Sequence, residues 1–127
     1  MREFHDRVAV ITGAASGIGL ALAQHCAREG MQVVLADVDA DALQVAASNI
    51  STHDTNVLAV PTDVSQAKDI QALANAALTK FGAVHLLCNN AGVGIATPIL
   101  GSSVADWEWA LGVNLWSVIH ADRKSVV

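Results

Sequence analysis

The chain has 127 residues, of which 53% are hydrophobic, and its formal net charge at pH 7 is −5. A domain of this size buries roughly two-thirds of its unfolded surface, so we expect one packed hydrophobic core. The acidic balance and the lack of a basic stripe argue against a nucleic-acid-binding surface. No apolar run reaches the ~20 residues of a membrane span, and the first strand is expected by about Val8, which leaves no room for a signal peptide. We therefore expect a soluble, cytoplasmic protein with no membrane partner.

The cysteines and histidines predict no metal site. Cys26 and Cys88 are distant in sequence and form neither a Cys-x-x-Cys pair nor a Cys/His ligand spacing. Two reduced thiols in the core are the simplest interpretation. The five histidines are scattered and match no metal-binding pattern.

Short apolar runs alternate with helical patterns along the chain. Strands are predicted at 7–12, 31–37, 56–62 and 83–89, and helices at 17–29, 39–50, 65–81 and from 103 through 118. This alternation predicts parallel strands joined by right-handed crossovers, with helices on both faces of the sheet.

Single residues refine these boundaries. Pro61 favours an edge position for the third strand. Ser65 is expected to cap the third helix, and Ser103 with Asp106 to form a capping box at the start of the fourth. Glycines at 30 and 82 are expected to end the first and third helices.

Three glycines, Gly13, Gly17 and Gly19, lie in the turn between the first strand and the first helix. Glycine permits positive φ and lets the backbone pass close to a bulky anion, and the helix start offers free N–H groups. The turn therefore predicts a pyrophosphate site. Its spacing is G-x-x-x-G-x-G, not the more common G-x-G-x-x-G. A plain tight turn is the alternative, which the strand before it and the helix after it disfavour.

An acidic residue, Asp37, ends the second predicted strand. A carboxylate there can accept hydrogen bonds from both hydroxyls of an adenosine ribose. It would repel a 2′-phosphate, and the neighbours Ala15, Ser16 and Val38 bring no positive charge. The sequence therefore favours NAD over NADP, the alternative being that Asp37 is a solvated acid at a strand end.

Four motifs, in this order, resemble those of the short-chain dehydrogenase/reductase family. They are the TGAASGIG stretch at 12–19, the pair Asp63 and Val64, the NNAG stretch at 89–92, and Asn114 within VNLW. The resemblance covers about residues 6–120. It implies an α/β fold of the Rossmann type, a doubly wound parallel sheet here truncated after the fourth strand and helix, with strand order 3-2-1-4. It also implies an NAD(P)-dependent oxidoreductase that transfers hydride between NAD(H) and an alcohol or carbonyl substrate.

The same resemblance implies a role for each motif residue. The glycine turn would hold the pyrophosphate and the adjacent ribose, Asp37 the adenosine ribose, Asp63 and Val64 the adenine, and the NNAG stretch the ribose on the nicotinamide side. The cofactor-binding residues so implied are Gly13, Ser16, Gly17, Ile18, Gly19, Asp37, Asp63, Val64, Asn90, Ala91 and Gly92. Asn114 would mark a helix kink that holds a water of a proton relay, with a satisfied buried amide as the alternative.

The family's general acid–base has no counterpart in these residues. In the family a tyrosine does this work, its pKa lowered by a lysine of a Tyr-x-x-x-Lys motif, and a serine assists; this chain contains no tyrosine. His120 and Lys124 have a suitable spacing but come too early in the chain. We therefore expect the chain alone to be inactive, as part of an oxidoreductase or as a nucleotide-binding fragment that pairs with a full-length subunit. A Rossmann protein that binds a methyl donor is a disfavoured alternative, because such a protein would need a tighter G-x-G-x-G turn.

The end of the chain departs from the expected helix pattern. We interpret 1–120 as the N-terminal part of one dinucleotide-binding domain and 121–127 as a tail outside the family pattern. A truncation, a frame change or an alternative exon near Ala121 would explain it.

Such a chain would expose surfaces that the family buries. The fourth strand would become an apolar sheet edge, which promotes association. Trp107, Trp109 and Trp116 would form an apolar surface on the fourth helix, through which a homo-oligomer can form. For these tryptophans we favour packing or an interface over a ligand role.

Overall fold

The computed structural model describes residues 2–51 and 56–125. It confirms an α/β fold with a single four-stranded parallel sheet of order β3-β2-β1-β4. In chain order the elements are β1 (Val8–Thr12), α1 (Gly17–Arg28), β2 (Gln32–Asp37), α2 (Ala40–Ile50), β3 (Val57–Pro61), α3 (Ala67–Phe81), β4 (Leu86–Cys88), a 3₁₀ turn (Ile99–Gly101), α4 (Val104–Leu111), a π-helical turn (Gly112–Trp116) and α5 (Ser117–Ser125).

The first strand lies at the centre of the sheet. Val10 of β1 is opposite Val34 of β2 on one side and Leu87 of β4 on the other. All five residues of β1 are buried, because helices cover both faces of the sheet. β3 is the edge strand next to β2, as Pro61 predicted. Pro61 is the last residue of β3 and is opposite Asp37.

The alternation of side chains along each strand divides the core between the two faces. The cluster beneath α1 and α2 contains the strand residues Ala9, Ile11, Val33 and Leu35. It also contains Leu43 of α2. The intervening strand residues, with Leu73 and Ala77 of α3, form the cluster on the other face. Each large apolar side chain that is fully buried here contributes roughly 1.5–3 kcal/mol. The helices thus pack against both faces of the sheet and do not cover the carboxyl ends of the strands.

The fourth strand is shorter than predicted, three residues instead of seven. Before it, the Nδ1 atom of His85 accepts a hydrogen bond of 2.9 Å from the backbone N–H of Val8, so a side chain replaces a ladder carbonyl. After it, the N–H of Asn90 turns back to the carbonyl of Cys88. Within the described residues no strand pairs with the other side of β4.

The predicted cap of the third helix is wrong. The N-cap residue is Gln66, and the helix begins at Ala67. Ser65 instead donates hydrogen bonds from its N–H and its hydroxyl to Oδ1 of Asp63, at 3.0 and 2.6 Å. A nearby carboxylate therefore outcompetes the helix end for this serine.

The capping box of the fourth helix is confirmed. The Ser103 hydroxyl accepts from the N–H of Asp106 at 3.1 Å, and the Asp106 carboxylate accepts from the N–H of Ser103 at 2.8 Å. The helix then runs without a break through the π-helical turn to the end of α5. Ala121, in the predicted tail, is buried beside Ile70 and Val113. The tail is therefore helical as far as Ser125, and residues 126 and 127 lie outside the described residues.

The expected glycine stops are confirmed. Gly82 follows α3 with φ +78°, and its N–H donates to the carbonyl of Leu78 at 2.8 Å. A Cβ atom at Gly82 would meet no atom within 4 Å, so only the backbone conformation requires glycine there. Gly30 has φ +81° after α1.

We predict that Gly82→Ala lowers the free energy of unfolding by about 1–2 kcal/mol, because the left-handed conformation strains any residue with a Cβ. Urea unfolding followed by circular dichroism measures the change. Gly101→Ala is the matched control: a Cβ there also meets nothing within 4 Å, but the backbone is not left-handed. Equal stability of Gly82→Ala and Gly101→Ala would contradict the explanation.

Candidate functional site

A cleft of about 520 Å³ opens at the carboxyl ends of the parallel strands. Its size lies in the range of small-molecule and cofactor sites. Every predicted cofactor residue lines it except Gly19. Six further residues that the sequence did not single out for the site also line it: Val38, Thr62, Ser65, Val93, Trp109 and Val113.

The glycine turn is compact because its backbone segments touch. A Cβ at Gly19 would lie 2.0 Å from the carbonyl oxygen of Gly13, so Gly19 lets the start of α1 pack on the end of β1. Gly13 and Gly17 have φ of +66° and +55°. Gly17 faces open space, with nothing within 4 Å of a Cβ. The backbone at Gly17 is therefore accessible to a ligand in the cleft.

The start of α1 has no internal cap. Ser16 is the N-cap residue, yet its side chain makes no capping hydrogen bond, and the first turn has no acidic residue. Among the described residues, the N–H groups of Gly17, Ile18 and Gly19 have no hydrogen-bond partner. Free N–H groups at a helix start, together with the positive end of the helix dipole, attract an anion.

The Asp37 carboxylate is held in place by two backbone N–H groups. Its Oδ2 accepts from Ala15 at 3.0 Å, and its Oδ1 accepts from Asp39 at 3.1 Å. Each oxygen of a carboxylate has a second lone pair, so both can still accept a bond from a ligand. Asp39 itself caps α2 by accepting from the N–H of Ala42, and it does not line the cleft.

A carboxylate and a free N–H lie side by side after β3. The N–H of Asp63 donates to Oδ2 of Asp69 at 2.9 Å, and Oδ1 of Asp63 accepts the two hydrogen bonds of Ser65. The Oδ2 of Asp63 and the N–H of Val64 have no partner within the described part of the chain. Asp63 and Val64 both line the cleft, so one unpaired acceptor and one unpaired donor belong to neighbouring residues of its lining.

The ends of β1 and β4 are joined through Thr12. Its buried Oγ1 accepts from the N–H groups of Asn90 and Ala91, at 3.1 and 3.0 Å, and lies 3.3 Å from the carbonyl of Cys88. The Nδ2 of Asn90 donates to the carbonyls of Thr12 and Gly13. These bonds set the position of the NNAG segment against the glycine turn.

Asn114 lies in the π-helical turn and bonds to the segment after β4. Its Oδ1 accepts from the N–H of Val93 at 2.8 Å, and its Nδ2 donates to the carbonyl of Val93 at 2.7 Å. The side chain is exposed, so it is a satisfied amide but not a buried one. One lone pair and one N–H of the amide remain, and the role in a proton relay stays a prediction.

The other candidate groups lie outside the cleft. His120 stacks on Trp116, with ring centroids 5.8 Å apart, and neither His120 nor Lys124 lines the cleft. Burial raises the pKa of the Cys26 and Cys88 thiols, which makes both poorer nucleophiles at neutral pH. A second cavity, of about 230 Å³ between α3, α5 and the sheet, has a mostly apolar lining.

Residues 2–51 and 56–125 contain no group of three or more His, Cys, Asp or Glu side chains placed to hold a metal ion. Over the same residues, no helix has the length and hydropathy required to cross a lipid bilayer.

Trp109 is the one of the three tryptophans that lines the cleft. The sequence favours packing or an interface for all three and does not single out Trp109 for the site. No sequence signal separates it from Trp107, because only the rotation of α4 over the strand ends decides which of the two faces inward.

Comparison with known proteins gives the same family as the motifs. The family described as short chain dehydrogenase matches residues 7–126. A curated relative, the CLA biosynthesis dehydrogenase/reductase of Lactiplantibacillus plantarum, is 35% identical over 126 residues, which are 99% of this chain and 44% of the relative.

Solved structures of the same family are similar to this chain in both fold and sequence. A short chain dehydrogenase/reductase from Burkholderia phymatum, in complex with NAD, is 50% identical with a TM-score of 0.94 and is matched over 98% of this chain and 44% of its own. The L-sorbose reductase of Gluconobacter frateurii, complexed with NADPH and L-sorbose, is 32% identical with a TM-score of 0.93, over 98% of this chain and 48% of its own. The chain thus spans about half the length of the proteins that it matches. By motifs, fold and sequence similarity, it belongs to the short-chain dehydrogenase/reductase family of oxidoreductases.

Proposed function

We propose that this chain binds NAD in preference to NADP, as the cofactor-binding part of an oxidoreductase that acts on an alcohol or carbonyl substrate. The observation that carries the proposal is the cleft in which an uncapped helix start and a pre-positioned carboxylate, Asp37, face the same space. Relatives with NAD and with NADPH bound support a nicotinamide cofactor in general. The preference between the two is argued from the residues of this chain.

The pyrophosphate would be held by the backbone of the glycine turn. The free N–H groups at 17–19 and the open space in front of Gly17 fit a bulky anion, and no acidic residue in the first turn of α1 repels it. Ser16, whose hydroxyl is not used as a helix cap, would add a donor.

The adenosine ribose would bind Asp37. Both carboxylate oxygens keep a free lone pair, so the two ribose hydroxyls can donate to them. A 2′-phosphate would meet the negative charge of Asp37. The described lining of the cleft includes no Lys or Arg to offset that repulsion, which favours NAD.

The adenine would bind beside β3. The free Oδ2 of Asp63 can accept from the amino group of the base, and the free N–H of Val64 can donate to its ring nitrogen. Asn90, Ala91 and Gly92, held by Thr12, would pass beside the ribose on the nicotinamide side.

When bound, the nicotinamide would supply the hydride acceptor or donor. The residues of this chain bind and orient it but do not move the substrate proton. Among the described residues, the carboxylates that line the cleft are those of Asp37 and Asp63, which are assigned to the adenosine end, and the chain has no tyrosine. The general acid–base would therefore come from outside these 127 residues.

A homo-oligomer through the fourth helix is part of the proposal. Trp107, Leu111, Leu115 and Trp116 are each between 41% and 51% exposed, an unusually apolar surface for one helix. The compartment is proposed to be the cytoplasm. Both cysteines are free thiols, which a reducing compartment maintains.

We predict that Asp37→Asn weakens NAD binding at least about tenfold and lowers the ratio of NAD to NADP affinity, since hydrogen bonds to a charged group are lost and the repulsion of a 2′-phosphate is removed. Isothermal titration with each dinucleotide measures both changes. Asp41→Asn, which removes the same charge from the first turn of α2 outside the cleft, is the control. An unchanged NAD to NADP ratio in Asp37→Asn would refute the selectivity argument, and no NAD binding by the wild-type chain would refute the proposed function.

We predict no turnover by the 127-residue chain with NAD and a panel of primary and secondary alcohols, followed by NADH absorbance. The described carboxylates of the cleft, Asp37 and Asp63, are assigned to the adenosine end and not to the substrate proton, so the rate should equal that of a boiled sample. Turnover that persists in the presence of a chelator would contradict this account of proton transfer.

We predict that Leu115→Lys shifts the chain towards the monomer, because a buried lysine would be unpaired at an apolar interface. Sedimentation velocity over a range of protein concentrations measures the association. Val45→Lys places the same charge at an exposed apolar site on α2, where Val45 is 61% exposed, and should leave the association unchanged. A wild-type chain that is monomeric at every concentration would rule out the oligomer.

A further inference from the structure

The three tryptophans of the fourth helix have different surroundings. The Nε1 of Trp107 donates to the Ser102 hydroxyl at 2.8 Å, and Trp116 stacks on His120. Trp109 lines the cleft. Within the described residues its indole has neither a hydrogen bond nor a stacked ring, and half of its surface, 50%, is exposed. A large aromatic face without a partner therefore borders the candidate site.

Trp109 shares a helix face with another residue of the cleft lining. Val113, one helical turn further along, also lines it, so both side chains belong to the same face of the helix. A Cβ atom at the neighbouring Gly112 would lie only 3.2 Å from Cβ of Ser65, so the helix packs directly on the loop after β3. Trp109 thus borders the part of the cleft formed by Asp63, Val64 and Ser65.

The two walls of this part of the cleft differ in chemistry. The loop after β3 offers an acceptor, Oδ2 of Asp63, next to a donor, the N–H of Val64. Such a pair recognises the edge of a heteroaromatic base. The helix offers a flat indole and the apolar side chain of Val113, which suit the face of a ring. The described lining brings no positive charge here, so a phosphate is the poorer occupant.

We propose that Trp109 is a specificity-determining residue that stacks on the adenine ring of the dinucleotide. The inference rests on the proposed function and adds the side chain that contacts the face of the adenine. An indole stacked on the base anchors the adenosine half of the cofactor in this chain. Fragments that contain adenine should therefore bind, whereas nicotinamide mononucleotide, which lacks it, should not depend on Trp109.

Tryptophan fluorescence separates Trp109 from its neighbours. In the Trp107→Phe/Trp116→Phe chain the single remaining indole is Trp109, and in the Trp107→Phe/Trp109→Phe chain it is Trp116. Titration with adenosine monophosphate should quench the first chain in a saturable way and leave the second unchanged. Uridine monophosphate, which has the same charge but no purine, should quench neither. Equal quenching of both chains, or equal quenching by the two nucleotides, would overturn the inference.

Affinity provides an independent readout. Stacking of a base on an aromatic side chain predicts that Trp109→Ala weakens NAD binding by about five- to tenfold in isothermal titration, at the lower end of such effects because the indole is half exposed. Trp109→Phe should retain part of the affinity, and Trp116→Ala, outside the cleft, should retain all of it. Far-UV circular dichroism checks that each variant is folded. If Trp109→Ala does not fold, the affinity of Trp109→Phe and the quenching experiment test the inference instead.

The outcomes distinguish this inference from the proposed function. If the wild-type chain binds NAD and Trp109→Ala binds it equally well, the stacking role is wrong and the cofactor site stands. If the wild-type chain binds no dinucleotide, the proposed function is wrong, and the stacking role of Trp109 is wrong as well.

Discussion

The site depends on the hydrogen-bonded junction that Thr12 makes between the central strand and its neighbour. Its hydroxyl oxygen is buried and receives two backbone N–H groups from the segment after β4, and the Asn90 amide returns to the carbonyls of Thr12 and Gly13. A buried polar group left without a partner costs about 1–3 kcal/mol, so these groups hold one another in a single arrangement. The glycine turn and the NNAG segment, which both line the cleft, meet at this junction.

The junction fixes the position of the glycine turn against the NNAG segment. Gly19 and Gly13 are in backbone contact, with the Asn90 amide beside them, and no side chain fits between these atoms. Asp37 then ties the turn to the end of β2 through Ala15. The result is a helix start whose first three N–H groups have no partner within the described residues, next to a carboxylate that two backbone hydrogen bonds hold in place. A site assembled in advance loses less entropy on binding than one that must be ordered by its ligand.

Much of the fold could be predicted because the signals are local. Apolar runs and glycine stops located the elements, and the order of strands followed from the family motifs. Local reasoning failed where a distant group competes. The side chain of His85 accepts a hydrogen bond from Val8 in place of a strand carbonyl, and β4 is shorter than predicted. Asp63 accepts the hydroxyl hydrogen bond of Ser65, the residue that was expected to cap α3. Local reasoning also did not single out Trp109, whose place in the cleft depends on the packing of the fourth helix against the loop at Ser65.

By itself, the sequence determined the family, the class of fold and most of the residues that line the candidate cleft, because backbone conformation and motif spacing are properties of consecutive residues. The tertiary structure alone decided which groups in that cleft are already bonded and which are free. Asn114 proved to be exposed yet bonded at both ends to Val93, and one of three similar tryptophans proved to face the site. The physical reason is that bonding and exposure depend on neighbours far away in the chain, which periodicity does not encode.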